Sequence, residues 1–191
     1  MPETDSRRKL IQLLQTAYSA ERAAAYAYRG HWHSLADEQE RAHVRQIENE
    51  ELHHRELVGE MLEKLGSRPS SRRELRSLLI GRALGFLCHL MVWLAPMYGA
   101  GRLESHNIRE YETAARYARA CGCEQFADCL LTMAEVEWEH ETYFRSRVMA
   151  HSVGRRLFLW PPPPPKETIR ESFARDPVDS SAESPCSEVK S

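Results

Sequence analysis

Two copies of one metal-binding pattern occur in this chain, Glu51-Leu-His-His54 and Glu137-Trp-Glu-His140. A lone glutamate on an apolar stripe precedes each copy. Glu21 lies 30 residues before Glu51, and Glu104 lies 33 residues before Glu137. Four carboxylates and two neutral imidazoles carry about four negative charges, which two divalent cations would neutralise. Carboxylate oxygen with imidazole nitrogen suits iron, with manganese as the alternative, better than metals that prefer thiolate. Metals of this kind in a buried carboxylate site point to oxygen chemistry.

Helical phase says which elements must position these groups. Residues three and four apart share a helix face. Leu10, Leu14, Ala17, Glu21, Ala24 and Tyr28 form one stripe, and Ile47, Glu51, His54, Val58 and Leu62 form a second. Met97, Gly101, Glu104, Ile108, Tyr111 and Ala115 form a third, and Leu130, Met133, Glu137, His140, Phe144 and Val148 a fourth. Six ionisable side chains are thereby aimed at an apolar interior. An unpaired buried charge costs several kcal/mol, so such groups are expected to be paired or to hold metal. Each Glu-to-Glu interval fits two antiparallel helices joined by a short loop. One Glu from each of two helices plus Glu-x-x-His from the other two is the ligand set of ferritin-like di-iron carboxylate bundles. A single Glu-x-x-His is commonly a solvated ion pair. The overlapping Glu50-Glu51-Leu52-His53 reads that way, because Gln46, Glu50, His53 and Glu60 share a polar face. Two copies in phase, each with its upstream partner, carry the metal-site reading.

The fold class that follows is all-α: a ferritin-like four-helix bundle with an extra apolar crossover helix and a disordered C-terminal tail. The bundle is expected over residues 1–155, with helices near 6–35, 37–65, 99–120 and 123–152. Gly66 and Pro69 close the second of these. The segment Leu78–Tyr98, within a crossover spanning about 71–98, carries the chain between the ends of parallel second and third helices. It approaches the roughly 20 apolar residues that cross a bilayer. Arg82, His89 and Pro96 argue against spanning, whereas an apolar face on lipid with Arg72, Arg73, Arg76 and Arg82 near headgroups is consistent with its composition. Residues 156–191 open with Pro161–Pro165 and continue polar, which implies a Pro-rich disordered tail with one short helix near 166–174.

Composition narrows the partners. A chain of 191 residues with net charge −2 and pI near 6.5 gives no argument for nucleic acid. The polar N-terminus reads as no signal peptide. Five cysteines, an odd number, read as cytosolic thiols rather than a disulfide framework. Cys121-Gly-Cys123 lacks a paired Cys-x-x-Cys and reads as a helix–helix turn.

Over about residues 10–150 the chain resembles the demethoxyubiquinone hydroxylase family, ferritin-like di-iron enzymes of ubiquinone biosynthesis. The resemblance rests on Glu21, Glu51-Leu-His-His54, Leu65-Gly-Ser-Arg-Pro69, Gly81-Arg-Ala-Leu-Gly85-Phe, Leu103-Glu104 to Tyr111, and Glu137-x-x-His140. It implies Glu51 and Glu137 as bridging ligands of two irons, Glu21 and Glu104 as terminal ligands, and one of His54 and His140 on each iron. It implies an O2-dependent monooxygenase acting on a quinone-like lipophilic substrate, with an external electron donor. Tyr111 is the candidate catalytic side chain, lining the pocket or relaying an electron. The implied location is cytoplasmic, peripheral on the inner face of the cell membrane, and the pattern allows a homo-oligomer. The chain departs from the family at Tyr18-Ser-Ala-Glu21, where His-Ala-Gly-Glu is usual. It departs again at Ser105 and Glu110, in place of a paired Glu and a His, and at His140-Glu141, in place of a doubled His. The alternative function is ferritin- or rubrerythrin-like iron oxidation, storage or peroxide detoxification. The rubredoxin-type Cys-x-x-Cys domain of rubrerythrins is missing here.

Overall fold

The computed structural model describes residues 2–176, and everything said of the structure concerns these. Four long helices form the bundle: α1 (Pro2–Ser34), α2 (Glu38–Lys64), α4 (Leu94–Ala120) and α5 (Ala127–Ala150). Helix α3 (Ser71–Leu90) is the crossover, and α6 (Glu167–Arg175) follows the bundle. No strand occurs among the described residues. The all-α reading therefore holds.

Local signals account for the helix ends. The Asp37 carboxylate caps α2 by accepting from the amides of Gln39 at 3.0 Å and Glu40 at 2.8 Å. Gly66 (φ 64°) and Gly122 (φ 71°) close α2 and α4 in the left-handed region that an L side chain resists. In each case the next amide reaches back to satisfy a helical carbonyl, Ser67 to Leu62 and Cys123 to Ala118, both at 2.8 Å. The Cys121-Gly-Cys123 segment is thus the expected turn. The third bundle helix starts at Leu94 rather than near 99. The chain is extended at Met91 (ψ 153°), and Pro96 falls within the first turn of α4, where its missing N–H costs nothing.

The core has two apolar halves. One gathers Leu10, Leu14, Val58, Leu62, Ile108, Leu130 and Met133. The other gathers Tyr28, Val44, Ile47, Met97, Phe144 and Val148. The six predicted ligands lie between these halves in sequence along all four helices, at mid-bundle.

Helix α3 packs on α1 through glycine. A Cβ at Gly81 would come within 2.5 Å of the Ala23 carbonyl oxygen, and one at Gly85 within 2.7 Å of that of Tyr26. Backbones at this separation admit no side chain between them. With the glycine face turned inward, the long apolar side chains of α3 point out. Leu75, Leu79, Phe86 and Leu90 are each at least 60% exposed. Ion pairs fix the start of the helix, with Glu74 held by Arg55 at 2.5 Å and Arg22 at 3.1 Å. Among the described residues no helix is long and apolar enough to cross a membrane.

The tail expected to be disordered from residue 156 is instead ordered against the bundle as far as Asp176. Trp160 is buried against Gly101, and its indole donates to Glu141 at 2.6 Å. The Pro164 carbonyl accepts from the Trp138 indole at 2.8 Å. The expected short helix is α6, which buries Ile169 in the core and sets Arg170 between Glu135 and Asp128, both at 2.6 Å. Despite the polar composition, a few large anchors and ion pairs suffice to dock a short strap. Residues 177–191 lie outside the described part of the chain.

Candidate metal centre

Each Glu-x-x-His spans less than one helical turn, so both its side chains leave the same face of α2 or α5. Glu21 on α1 and Glu104 on α4 face them. All six predicted ligands are at most 3% exposed. They form two overlapping groups, Glu21, Glu51, His54 and Glu137, and Glu51, Glu104, Glu137 and His140. Within each group one donor atom per residue lies within 4.8 Å of all the others. Glu51 and Glu137 belong to both groups, and each group adds one further carboxylate and one imidazole.

Electrostatics set this cluster apart from every other fully described buried acid. Glu40 is held by Arg147 and by the Trp93 indole at 2.7 Å. Glu48 is held by Arg29 at 2.7 Å and the Trp32 indole at 2.6 Å. Glu141 is held by Arg145 and the Trp160 indole, both at 2.6 Å. Each is neutralised by one guanidinium and one indole N–H. The four central carboxylates have no arginine or lysine partner among the described ion pairs. Both oxygens of Glu51, Oε2 of Glu21 and Nδ1 of His140 are buried without a hydrogen-bond partner. Such atoms are costly unless something fills the gap between them. Hard oxygen donors, imidazole nitrogens, four negative charges and orphaned lone pairs fit a pair of divalent cations.

The carboxyls respond to one another. Burial, followed by the neighbouring Glu51 for Glu21 and the neighbouring Glu137 for Glu51 and Glu104, pushes all three carboxyls well above the usual range. Glu137 goes the other way: burial opposes ionisation, but hydrogen bonds from Glu104 and His54 overcome it. His54 Nδ1 lies 3.0 Å from Glu137 Oε1, and although burial disfavours the imidazolium this partner raises its pKa. In the absence of cations the surroundings of Glu21, Glu51 and Glu104 thus favour the protonated carboxyl.

A surrounding set of side chains orients the donors. The hydroxyl of Tyr111 donates to Glu21 and that of Tyr28 to Glu104. Tyr111 also meets the His54 ring edge-on at 5.8 Å. Asn107 Nδ2 donates to Glu104 at 2.9 Å and to Glu137 at 3.2 Å. His140 Nε2 lies 2.7 Å from Glu50, which leaves Nδ1 facing Glu51 at 3.4 Å. Glu50, placed on a solvated face by helical phase, in fact reaches across to α5. Asn107, three residues after Glu104, was also missed; the i, i+3 spacing was its only signal.

An apolar cavity of about 370 Å3 opens between α1, α3 and α4. Leu84 and Leu87 of α3, Met91 just past its end and Leu103 of α4 form part of its wall, and Tyr28 lies among its lining residues. Tyr28 thus touches the cavity with its ring and the carboxylate cluster with its hydroxyl. The Tyr28 ring stacks on Phe144 at 5.8 Å, and Phe144 lies one helical turn beyond His140.

The family model for ubiquinone biosynthesis protein COQ7 matches residues 8–111. The chain belongs to the COQ7 family. The match takes in Glu21, Glu51, His54, Glu104 and Tyr111, while Glu137 and His140 lie beyond it on α5. COQ7 proteins are hydroxylases of ubiquinone biosynthesis, and the buried Glu/His cluster of this member could hold metal. No curated protein and no solved structure matches the chain.

Proposed function

We propose that this COQ7-family chain is a di-iron, O2-dependent monooxygenase that hydroxylates a quinone-like lipophilic ring. The observation that carries the reading is the pair of overlapping donor groups sharing Glu51 and Glu137, in a core where other buried acids have arginine partners. Glu51 and Glu137 would bridge two iron ions, Glu21 and Glu104 would each complete one ion's set, and His54 and His140 would each bind one. Bound there, the irons would activate O2, one oxygen atom entering the ring and the other leaving as water, with two electrons and two protons from an external reductant. The protein's part is placement and exclusion of water. Tyr28, Tyr111, Asn107 and Glu50 hold the ligands in orientation. The apolar cavity beside Tyr28 receives the ring, and an apolar pocket of this kind favours a hydroxylase over iron storage.

The substrate would arrive from lipid. The exposed apolar face of α3, with Arg72, Arg73, Arg76 and Arg82 on the same helix, suits a peripheral contact with a bilayer. Leu84 and Leu87 belong both to that exposed face and to the cavity wall.

The test is anaerobic loading of the full chain with Fe(II), followed by O2 with and without a short-chain methoxybenzoquinone, beside Glu51→Ala. About two irons per chain, an optical transient that decays faster with the quinone, and a hydroxylated product are expected. Iron that binds and oxidises without any response to the quinone would overturn the hydroxylase reading and leave iron handling. Failure to bind iron would remove both.

A further inference from the structure

His31 lines the same cavity, one helical turn beyond Tyr28 on α1. Its side chain is buried, with the residue only 2% exposed, and its Nε2 has no hydrogen-bond partner. The ring lies nearly parallel to Phe144 at 6.1 Å, and Phe144 also stacks on Tyr28, so it backs the two rings, Tyr28 and His31, that line the cavity. The other lining residues are almost wholly apolar. The Tyr28 hydroxyl is already committed to Glu104, and the Cys88 thiol is a weak donor. Nε2 is thus a buried polar atom left unpartnered at the edge of an apolar pocket, and a few polar atoms so placed fix orientation in small-molecule sites.

We infer that His31 is the specificity-determining residue of this cavity, its Nε2 binding an oxygen substituent on the aromatic or quinone ring of the substrate. This rests on the proposed reading of the cavity as the substrate site. A neutral imidazole carries its proton on either nitrogen, so Nε2 can donate to a quinone carbonyl or accept from a phenolic hydroxyl. Burial keeps the ring neutral, pushing its pKa down to about 4. His31 is thereby matched to both oxidation levels of a quinone-type ring. The Tyr28 ring would hold the ring face, and the isoprenoid or alkyl part would run past Leu84 and Leu87 towards the exposed face of α3.

The experiment is calorimetric titration of the metal-free full chain with two probes. One is a methoxy-methyl-benzoquinone bearing a single isoprenyl group; the other is the corresponding arene without ring oxygens. One neutral hydrogen bond predicts a preference for the quinone of roughly 3- to 10-fold in the wild type. His31→Leu should lose that preference while holding the arene within about twofold, and His31→Gln, which keeps a donor and an acceptor, should retain most of it. A His31→Leu variant that still prefers the quinone as the wild type does overturns the inference and leaves the cavity as the substrate site. A wild type that binds neither probe overturns the cavity reading and the inference with it. Wild type and variants should take up the same amount of Fe(II), and thermal melts confirm that each variant folds.

Discussion

Replacing Glu51 by leucine should make the metal-free protein more stable and abolish its stabilisation by metal. Neither Glu51 oxygen accepts a hydrogen bond from any N–H or O–H, and the residue is 0% exposed. Only a proton shared with a neighbouring carboxyl can pair it. A buried unsatisfied polar group costs about 1–3 kcal/mol, and proton sharing takes the lower part of that range, about 1–2 kcal/mol. At about 2–4 °C per kcal/mol for a chain of this size, the metal-free variant should melt roughly 2–8 °C above the wild type. Metal reverses the order. A ligand at 100-fold its Kd stabilises the native state by about 2.7 kcal/mol, which adds roughly 5–10 °C to the wild type. Glu51 belongs to both donor groups, so its loss damages both metal positions at once. The assay is scanning calorimetry with chelator and then with Mn(II), a probe that does not react with O2. A metal-free variant that melts below the wild type, yet gains as much from Mn(II), would refute the assignment of Glu51 and the claim that the cluster is built for cations.

Tyr111→Phe removes the hydroxyl that holds Glu21 but leaves the packing of the ring; Mn(II) affinity should fall about 10-fold and the metal-free melt by roughly 2–8 °C as Glu21 loses its donor, and unchanged affinity would make Tyr111 a packing residue. Acid should act through His31. Its folded pKa of about 4 lies below the ordinary 6.5, so the stability it confers is complete above pH 6.5 and is lost as pH falls from there towards 4. The full loss is at most about 3.5 kcal/mol at about 1.4 kcal/mol per pKa unit. Glu21, Glu51 and Glu104, held above their ordinary range, have the opposite sign: they favour folding below pH 4.5 and oppose it as pH rises through their raised values. Comparing His31→Leu with the wild type across pH 7 to 4.5 cancels those carboxyls, and the two unfolding curves should diverge on acidification; parallel curves would sink the argument. Gly85→Val should force α3 away from α1, because its first side-chain carbon meets the Tyr26 carbonyl at 2.7 Å; a loss of about 1–3 kcal/mol in urea titration is expected, and none would mean the helix contact is looser than described. Trp160→Ala empties the seat over Gly101 and leaves Glu141 without its indole donor; a loss of about 3 kcal/mol and faster proteolysis beyond residue 156 should follow, and a strap as protected as in the wild type would refute its anchoring role.

What was legible in the sequence was whatever follows from periodicity within one helix. Glu51 with His54, and Glu137 with His140, share a face by arithmetic, and each interval to the lone glutamates sets a helix pair. Directions between helices are not in that arithmetic. Glu50 sits on a face that phase assigns to solvent, but α5 passes close enough for His140 to reach it at 2.7 Å. Asn107, bonded to acids of two helices, is equally invisible until α4 and α5 are docked. The docking of residues 156–176 is hidden in the sequence for a different reason. Low apolar content predicts disorder on average, whereas docking here depends on Trp160 and Ile169 and on Arg170 meeting acids displayed by α5.

The three acid–arginine–tryptophan sets make the deepest distinction between structure and function in this core. Glu40, Glu48 and Glu141 are as buried as the ligands, within 5% exposure, so burial of an acid is not by itself a functional signal here. What differs is the counter-charge. Those three acids each have a guanidinium and an indole donor inside the fold, although Oε2 of Glu141 accepts no hydrogen bond. Glu21, Glu51, Glu104 and Glu137 are instead surrounded by tyrosine hydroxyls, one amide and two imidazoles, groups that orient carboxylates and cancel little of their charge. A sequence able to supply arginine to every other buried acid has left this one layer to be neutralised from outside. The same logic singles out His31, whose Nε2 is buried without a partner beside the neighbouring apolar cavity.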